Sequence, residues 1–283
     1  MHSNKLRIVI TGASGQLAQC IKHLHASFNY DFHFLDRSEF DITNKESISN
    51  TLDLLKPDVI INTAAYTQVD LAETESIQAH AINHYGVLNL AAFSAEKNIS
   101  LIHISTDYIF DGNASQPYTE SDSTSPQTVY GKSKLEGENA LKNSGVAAYW
   151  IIRTSWLYSI YGKNFFKTIL KLAESRDELS VVNDQTGTPT QAMDLAEFLL
   201  QYVPHINSKN SGTYHFVNSG QGTWFDFAKE IILKHSPRTQ VQPVTSDQYP
   251  TAARRPKYSV LDNTKVQNTF GFKIRDWRDA IPD

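Results

Sequence analysis

Cysteine is almost absent from this 283-residue chain. Cys20 stands alone, which excludes an internal disulfide and a cysteine-ligated zinc cluster. No apolar run approaches the roughly 20 residues needed to span a bilayer. The opening stretch MHSNKLRIVITG is too short, and lacks the cleavage-like site, to read as a secretory leader. A basic excess is missing as well: 26 Lys and Arg face 30 Asp and Glu, a formal net charge of −4, whereas nucleic-acid binders carry a marked positive balance. The ten histidines show no metal-ligand spacing such as HExxH, so no metal site is expected. What these absences leave is a soluble, cytoplasmic globular protein with neither nucleic acid nor membrane as a partner. A chain of this length buries about 75% of the surface it exposes when unfolded, so a sizeable core is available.

The first half is rich in regular alternation. Short β-rich runs at Leu6–Thr11, Phe32–Asp36, Val59–Thr63, Leu101–Ser105 and Ala148–Arg153 are separated by amphipathic patterns at Gln16–His25, Asn44–Leu55, Ile77–Glu96 and Tyr130–Leu141. Near-continuous apolar strands alternating with helices predict βαβ units: a Rossmann-type, doubly wound α/β fold with a parallel sheet. After about Ser155 the rhythm changes to shorter helices at Met193–Tyr202 and Trp224–Lys234 with irregular segments between. This suggests a dinucleotide-binding domain over 1–155 and a smaller, interleaved substrate lobe over 156–283, with no linker to mark the boundary.

Three local patterns carry chemistry. Strand one runs into Thr11-Gly12-Ala13-Ser14-Gly15-Gln16-Leu17-Ala18, where Gly12 and Gly15 allow a tight turn and a close approach of backbone amides to a pyrophosphate at a helix N-terminus. An acid, Asp36, ends strand two and suits the adenosine ribose hydroxyls of NAD(H). Its neighbour Arg37 suits the 2′-phosphate of NADP(H), so either NADH or NADPH is admitted. Asp41 and Ile42 flank the adenine or form an ordinary turn. Second, Tyr130 and Lys134 lie four apart and share a helix face. An ammonium near a phenol lowers its pKa, making Tyr130 a proton shuttle for a carbonyl or hydroxyl. Third, Ser105-Thr106-Asp107 follows strand four at the carboxyl edge of the sheet, where ligands of such folds collect.

Together the phosphate loop, the hydroxyl after strand four and Tyr-x-x-x-Lys resemble the extended short-chain dehydrogenase/reductase family. Longer segments narrow the likeness. Asn62–Glu73 (NTAAYTQVDLAE), Ser105–Phe110 (STDYIF), Arg153–Trp156 (RTSW), Asn183-Asp184-Gln185 with Gly187–Thr190 (GTPT), and Ala253–Pro256 (ARRP) are similar, in order and over nearly the whole chain, to the dTDP-4-dehydrorhamnose reductases. The resemblance implies hydride transfer from NADPH or NADH to C4 of dTDP-4-dehydro-L-rhamnose, the last step of dTDP-rhamnose synthesis for surface polysaccharide. It implies Tyr130 as proton donor, Lys134 as its partner and Thr106 as the hydroxyl tuning the site. Gly15, Gln16 and Leu17 would hold the pyrophosphate, Asp36, Asp41 and Ile42 the adenosine, and Ala65, Tyr66 and Thr67 the dinucleotide after strand three. Thr106, Asp107 and Trp156 would meet the sugar nucleotide, and Arg255 its diphosphate, which favours guanidinium forks. Ala18 departs from the usual third glycine. The chain also stops soon after Asp276-Trp277, so the magnesium-linked dimer of some relatives is not carried over and a homodimer stays an open partnership. Two other readings remain beside the reductase: a non-catalytic regulatory subunit, and a related epimerase.

Overall fold

Branched aliphatic residues build the centre of the molecule. The computed structural model describes residues 5–283, and the first four residues of the N-terminal stretch discussed above lie outside the described residues. Five strands, β1 (Arg7–Thr11), β2 (Asp31–Leu35), β3 (Val59–Asn62), β4 (Ser100–Thr106) and β5 (Tyr149–Thr154), fall within one or two residues of the predicted runs. They pair in parallel, in the order β5-β4-β3-β1-β2. Side chains alternate across such a sheet. Ile8, Ile10, Ile61, Ile102 and Ile152 point to one face; Val9, Ile60, Leu101 and Ile151 point to the other.

Helices cover both faces, as a doubly wound sheet requires. In the first half these are α1 (Gln16–Leu24), α2 (Lys45–Leu55), α3 (Val69–Ala72), α4 (Ser76–His80), α5 (Val87–Lys97) and α6 (Val129–Lys142). Leu17, Cys20 and Ile21 of α1 enter one core. Ile48 and Leu52 of α2, Leu90 of α5 and Leu141 of α6 enter the other.

The second half adds α7 (Phe165–Ala173), α8 (Ala192–Tyr202), α9 (Trp224–His235) and α10 (Thr264–Phe270). The chain returns to the main sheet at Gly212–His215, a sixth strand that pairs in parallel with β5. Leu195, Phe198 and Leu199 of α8 join α1 in the first core. This strand was not foreseen, because four residues reading Gly-Thr-Tyr-His carry no apolar run. A separate core forms from Phe166 and Ile169 of α7, Phe227 and Ile231 of α9, Trp277, and a parallel pair of strands, Glu178–Val182 and Gln240–Val244. Helix α7 and this strand pair were also absent from the sequence reading. Among the described residues no helix is long and apolar enough to cross a membrane.

One predicted helix differs in detail. The expected run Ile77–Glu96 is interrupted by a π-helical segment, Ala81–Gly86, between α4 and α5. There Asn83 turns inward: its amide receives Tyr66 N–H and donates to Tyr66 O and Ser133 Oγ. Gly137 of α6 packs directly on it, and a Cβ at Gly137 would sit 2.1 Å from the Asn83 carbonyl oxygen. Such wide turns cluster at functional sites. Because the obstruction is backbone, Gly137→Ala must push α6 from the π segment. We expect a loss of about 1–3 kcal/mol, as for overpacked cores, visible as a lowered Tm in thermal unfolding.

Candidate functional site

Helix α6 carries an unusual row of buried polar groups. Thr128 caps it, its Oγ1 receiving Gly131 N–H at 3.0 Å. From that start Tyr130, Lys134 and Glu138 recur every four residues on the face turned to the sheet, and all three are buried. Glu138 is the anchor. Arg153 of β5 grips it with two hydrogen bonds, at 2.9 and 2.8 Å, and Ser105 of β4 donates at 2.6 Å. Burial alone would raise the Glu138 pKa, but the paired guanidinium brings the carboxyl below its ordinary value.

Lys134 is not aimed at Tyr130. Its Nζ donates to the Ile104 carbonyl at 2.6 Å and lies 3.2 Å from His103 Nε2. Burial pushes its pKa down to about 7, opposed by the charge of Glu138. The expectation that an ammonium lowers the Tyr130 pKa is therefore corrected. Burial pushes that phenol above its ordinary range, with the Thr106 hydroxyl opposing the rise. A phenol so placed keeps its proton, which suits a donor better than a base.

The end of β4 supplies the facing groups. Thr106 Oγ1 receives Tyr108 N–H and donates to Asp107 Oδ1 at 3.0 Å, starting a short 3₁₀ turn over Asp107–Ile109. Asp107 is buried and its Oδ2 has no hydrogen-bond partner among the described residues. Burial pushes its carboxyl up to about 6, with the nearby Ser259 and Thr106 hydroxyls opposing the rise. The Tyr108 ring stands edge-on to Tyr130, centroids 5.6 Å apart, and its hydroxyl receives Arg255 Nη1 at 2.8 Å.

The phosphate loop fits a dinucleotide. Gly12 has φ +67° and a Cβ there would lie 2.8 Å from Ala64 Cα, so only glycine permits this turn. Gly15 offers α1 no side-chain cap and no acid sits in its first turn, which leaves the opening amides for an outside anion. Leu17 and Ala18 are buried against the sheet. Gln16 is partly committed elsewhere: its amide donates to Leu157 O and accepts from Asn164. Asp36, just beyond β2, holds Ser38 N and Oγ through Oδ1, and Arg37 beside it is exposed. Asp41 folds onto Thr43 through its Oδ1. Ile42 is buried in the second core, so its side chain is packing. Along the loop after β3, Ala65 is half-buried, Tyr66 is buried with its hydroxyl on Glu75 at 2.7 Å, and Thr67 is exposed. Cys20 is buried in α1, which pushes its thiol up to about 11.

A cavity of about 220 Å³ opens beside Tyr108 and Thr128, with Arg254, Arg255, Lys257 and Gln185 on its walls. Arg255 is already engaged with Asp70, as well as with Tyr108. Trp156 lies away from these cavity walls. It adopts a left-handed backbone, φ 45°, and stacks face to face on Trp224 with centroids 3.5 Å apart. Gly187 packs on its edge, where a Cβ would come within 2.5 Å of the indole. No site role was expected for Trp224, Lys257, Tyr108 or the buried partners His103 and Asn62. Asn62 and Tyr108 lie within the quoted segments NTAAYTQVDLAE and STDYIF, and His103 shows as a polar residue inside the apolar run Leu101–Ile104.

A family model described as "RmlD substrate binding domain" matches residues 6–283. A dTDP-4-dehydrorhamnose reductase of Aggregatibacter actinomycetemcomitans is 44% identical, with 97% of each chain covered. The chain belongs to the dTDP-4-dehydrorhamnose reductase family. Its fold superposes with a TM-score of 0.92 on a reductase of Bacillus anthracis solved in complex with NADP, 38% identical over 98% of this chain and 97% of that one. A reductase ortholog from Clostridium acetobutylicum gives the same TM-score at 42% identity, covering 97% and 96%.

Within this family member, Asp107 has a cost for the fold that can be measured. Its folded pKa is raised above the unfolded value, so the native state binds the proton more tightly. Stability therefore falls as pH rises from about 4 through 6, by roughly 2–3 kcal/mol at full ionisation. Asp107→Asn has no charge to bury. Its Tm is expected to exceed that of the wild type at pH 8, with the difference closing as pH falls below about 4.

Proposed function

We propose that this protein reduces dTDP-4-dehydro-L-rhamnose to dTDP-L-rhamnose, the last step of dTDP-rhamnose supply for surface polysaccharide. The observation that carries the proposal is the buried Tyr130–Lys134 row beside Thr106, next to a cavity lined by arginine and lysine, in a chain 44% identical to a named reductase. NADPH or NADH, when bound, supplies the hydride. The B. anthracis relative is named in complex with NADP. Here Gly12, Gly15, Gln16 and Leu17 would seat the pyrophosphate, Asp36 and Arg37 the adenosine ribose, Asp41 and Ile42 the adenine edge, and Ala65, Tyr66 and Thr67 the inner strand of the dinucleotide.

Tyr130 holds the proton that the C4 oxygen needs as negative charge develops there. Donation at that moment stabilises the transition state more than the ground state. Thr106 orients the reacting oxygen and the phenol, and Lys134 reaches the nicotinamide ribose. Asp107, buried beside the Ser259 hydroxyl, would meet a sugar hydroxyl, and Arg255 the diphosphate once it leaves Asp70. Trp156, half-buried and backed by Trp224, would meet the sugar. In this reading residues 1–155 bind chiefly the dinucleotide and residues 156–283 chiefly the sugar nucleotide, in the cytoplasm, with a homodimer as the assembly to test.

The test is the absorbance of NADH and of NADPH on mixing with enzymatically generated dTDP-4-dehydro-L-rhamnose. Oxidation in proportion to substrate is expected. Tyr130→Phe should lower turnover by about 10²–10⁴-fold while leaving dinucleotide affinity intact. Near-wild-type turnover in that variant would remove Tyr130 as the donor, and binding without oxidation would remove the reductase reading.

A further inference from the structure

The Trp156 indole is held by contacts that the hydrophobic cores do not supply. Among the described residues Trp156 joins none of the core clusters. Its backbone sits at φ 45°, a region that bulky side chains rarely enter and that persists only where the surroundings impose it. Hydrogen bonds on both flanks do so. Ser155 Oγ donates to Thr188 O at 2.8 Å, and Thr190 N–H donates to Trp156 O at 3.3 Å. Beyond the kink, Leu157–Tyr158 pairs in parallel with Thr190–Gln191. This stitching fixes where the Trp156 side chain leaves the backbone, and the ring is left to its neighbours.

Two neighbours hold it. Trp224 lies on one face of the ring, with the planes 9° apart, and Phe165 supports Trp224 with centroids 4.7 Å apart. The centroid separation of 3.5 Å is nearly full overlap, closer than the offset arrangement aromatic pairs prefer, so the stack is imposed by the fold. Gly187 meets the edge of the same ring. Strand register explains why these groups coincide. Gly187 stands opposite Gly222, and Thr186 opposite Thr223, in a two-residue antiparallel ribbon. Thr223 then caps α9: its Oγ1 receives Asp226 N–H, and Asp226 accepts from Thr223 N–H. Trp224 therefore starts the helix at one fixed angle. The other edge of Thr186 serves the cavity side, where Thr186 N–H donates to Lys257 O and Ser259 N–H to Thr186 O, both at 2.8 Å. One short strand thus places Trp224, Gly187 and the stretch Lys257–Ser259 relative to one another.

We propose that Trp224 is a positioning residue for the sugar-nucleotide site, holding the Trp156 indole at the orientation in which it meets the substrate and acting through that ring. The proposal rests on the reading that Trp156 meets the sugar. A flat partner restricts the tilt of Trp156, whereas an aliphatic one fills volume and leaves tilt free. The role therefore belongs to the aromatic face of Trp224 and not to its bulk.

Protein labelled with 5-fluorotryptophan gives one ¹⁹F resonance for each of its four indoles, assigned through single Trp→Phe changes. Trp277 packs edge-on to Phe227 of α9 with centroids 5.9 Å apart, so its resonance reports whether that helix is intact. In Trp224→Ala the Trp156 resonance is expected to move in the free protein while Trp277 stays. KM for dTDP-4-dehydro-L-rhamnose should rise about tenfold, with kcat and dinucleotide affinity within about twofold, the pattern of a lost uniform binding contact. Trp224→Phe should recover both readings and Trp224→Leu neither. If α9 does not survive the truncation to Ala, the Leu and Phe variants decide alone. An unmoved Trp156 resonance, a moved one with KM unaltered, or Leu serving as well as Phe would overturn the proposal. If the protein consumes no reduced dinucleotide, the reductase reading fails separately. Affinity for dTDP-L-rhamnose, read from the ¹⁹F shift it induces, then takes the place of KM. If dinucleotide oxidation persists while Trp224 proves indifferent, the reductase reading stands and this proposal falls.

Discussion

The buried pair between Glu138 and Arg153 is the contact on which the site depends. A carboxylate and a guanidinium with almost no solvent exposure would be costly apart, and removing one partner of such a pair typically destabilises by about 3–5 kcal/mol. Here geometry answers the cost: two hydrogen bonds from Arg153, one from Ser105, and Phe110 under the guanidinium at 5.3 Å. The pair ties α6 to β4 and β5 at once. Tyr130 and Lys134 lie two turns and one turn earlier on the same face, so their positions relative to the strand ends follow from this clamp. The close approach of Gly137 to Asn83 sets the other side of the helix. Asn83 in turn holds both backbone groups of Tyr66, linking the α6 position to the loop where a dinucleotide would lie.

Much of this was legible in the sequence, for physical reasons that differ by region. Strands buried on both faces must be apolar throughout, so β1 and β3 to β5 announced themselves as runs of Ile, Val and Leu. The phosphate loop was legible because only glycine tolerates the Gly12 backbone beside Ala64. The i, i+4 spacing put Tyr130 and Lys134 on one face, but it could not say where the ammonium points. That depends on His103 and the Ile104 carbonyl, 30 or so residues away in sequence and brought close only by the sheet. The strand Gly212–His215 escaped notice because it borrows its place from β5 rather than from its own composition. The π segment escaped because its cause, Gly137, lies on another helix.

The residues proposed for the substrate divide into preformed and committed groups. Asp107 is buried, and burial raises its carboxyl while the Ser259 and Thr106 hydroxyls oppose the rise. Trp156 sits in a left-handed backbone and is held there by the Trp224 stack and the absence of a side chain at Gly187. Arg255, by contrast, is bonded to Asp70 and Tyr108. Under the proposed reading a diphosphate at Arg255 would compete with that carboxylate, so that its binding and the release of Asp70 would be a single exchange. Because Tyr108 packs edge-on to Tyr130, such an exchange at Arg255 would lie one ring away from the proposed proton donor.

The central claim is spatial: one buried helix face, fixed by Glu138, delivers a phenol to the C4 oxygen of a dTDP-sugar whose diphosphate lies along the arginine-lined cavity. A crystal structure of the protein with oxidised dinucleotide and dTDP-L-rhamnose addresses it most directly. The account predicts the sugar C4 hydroxyl within hydrogen-bond distance of Tyr130 Oη and Thr106 Oγ1, with Arg255 turned from Asp70 to the diphosphate. A sugar nucleotide seated elsewhere, or a C4 hydroxyl met by groups other than Tyr130, would contradict it.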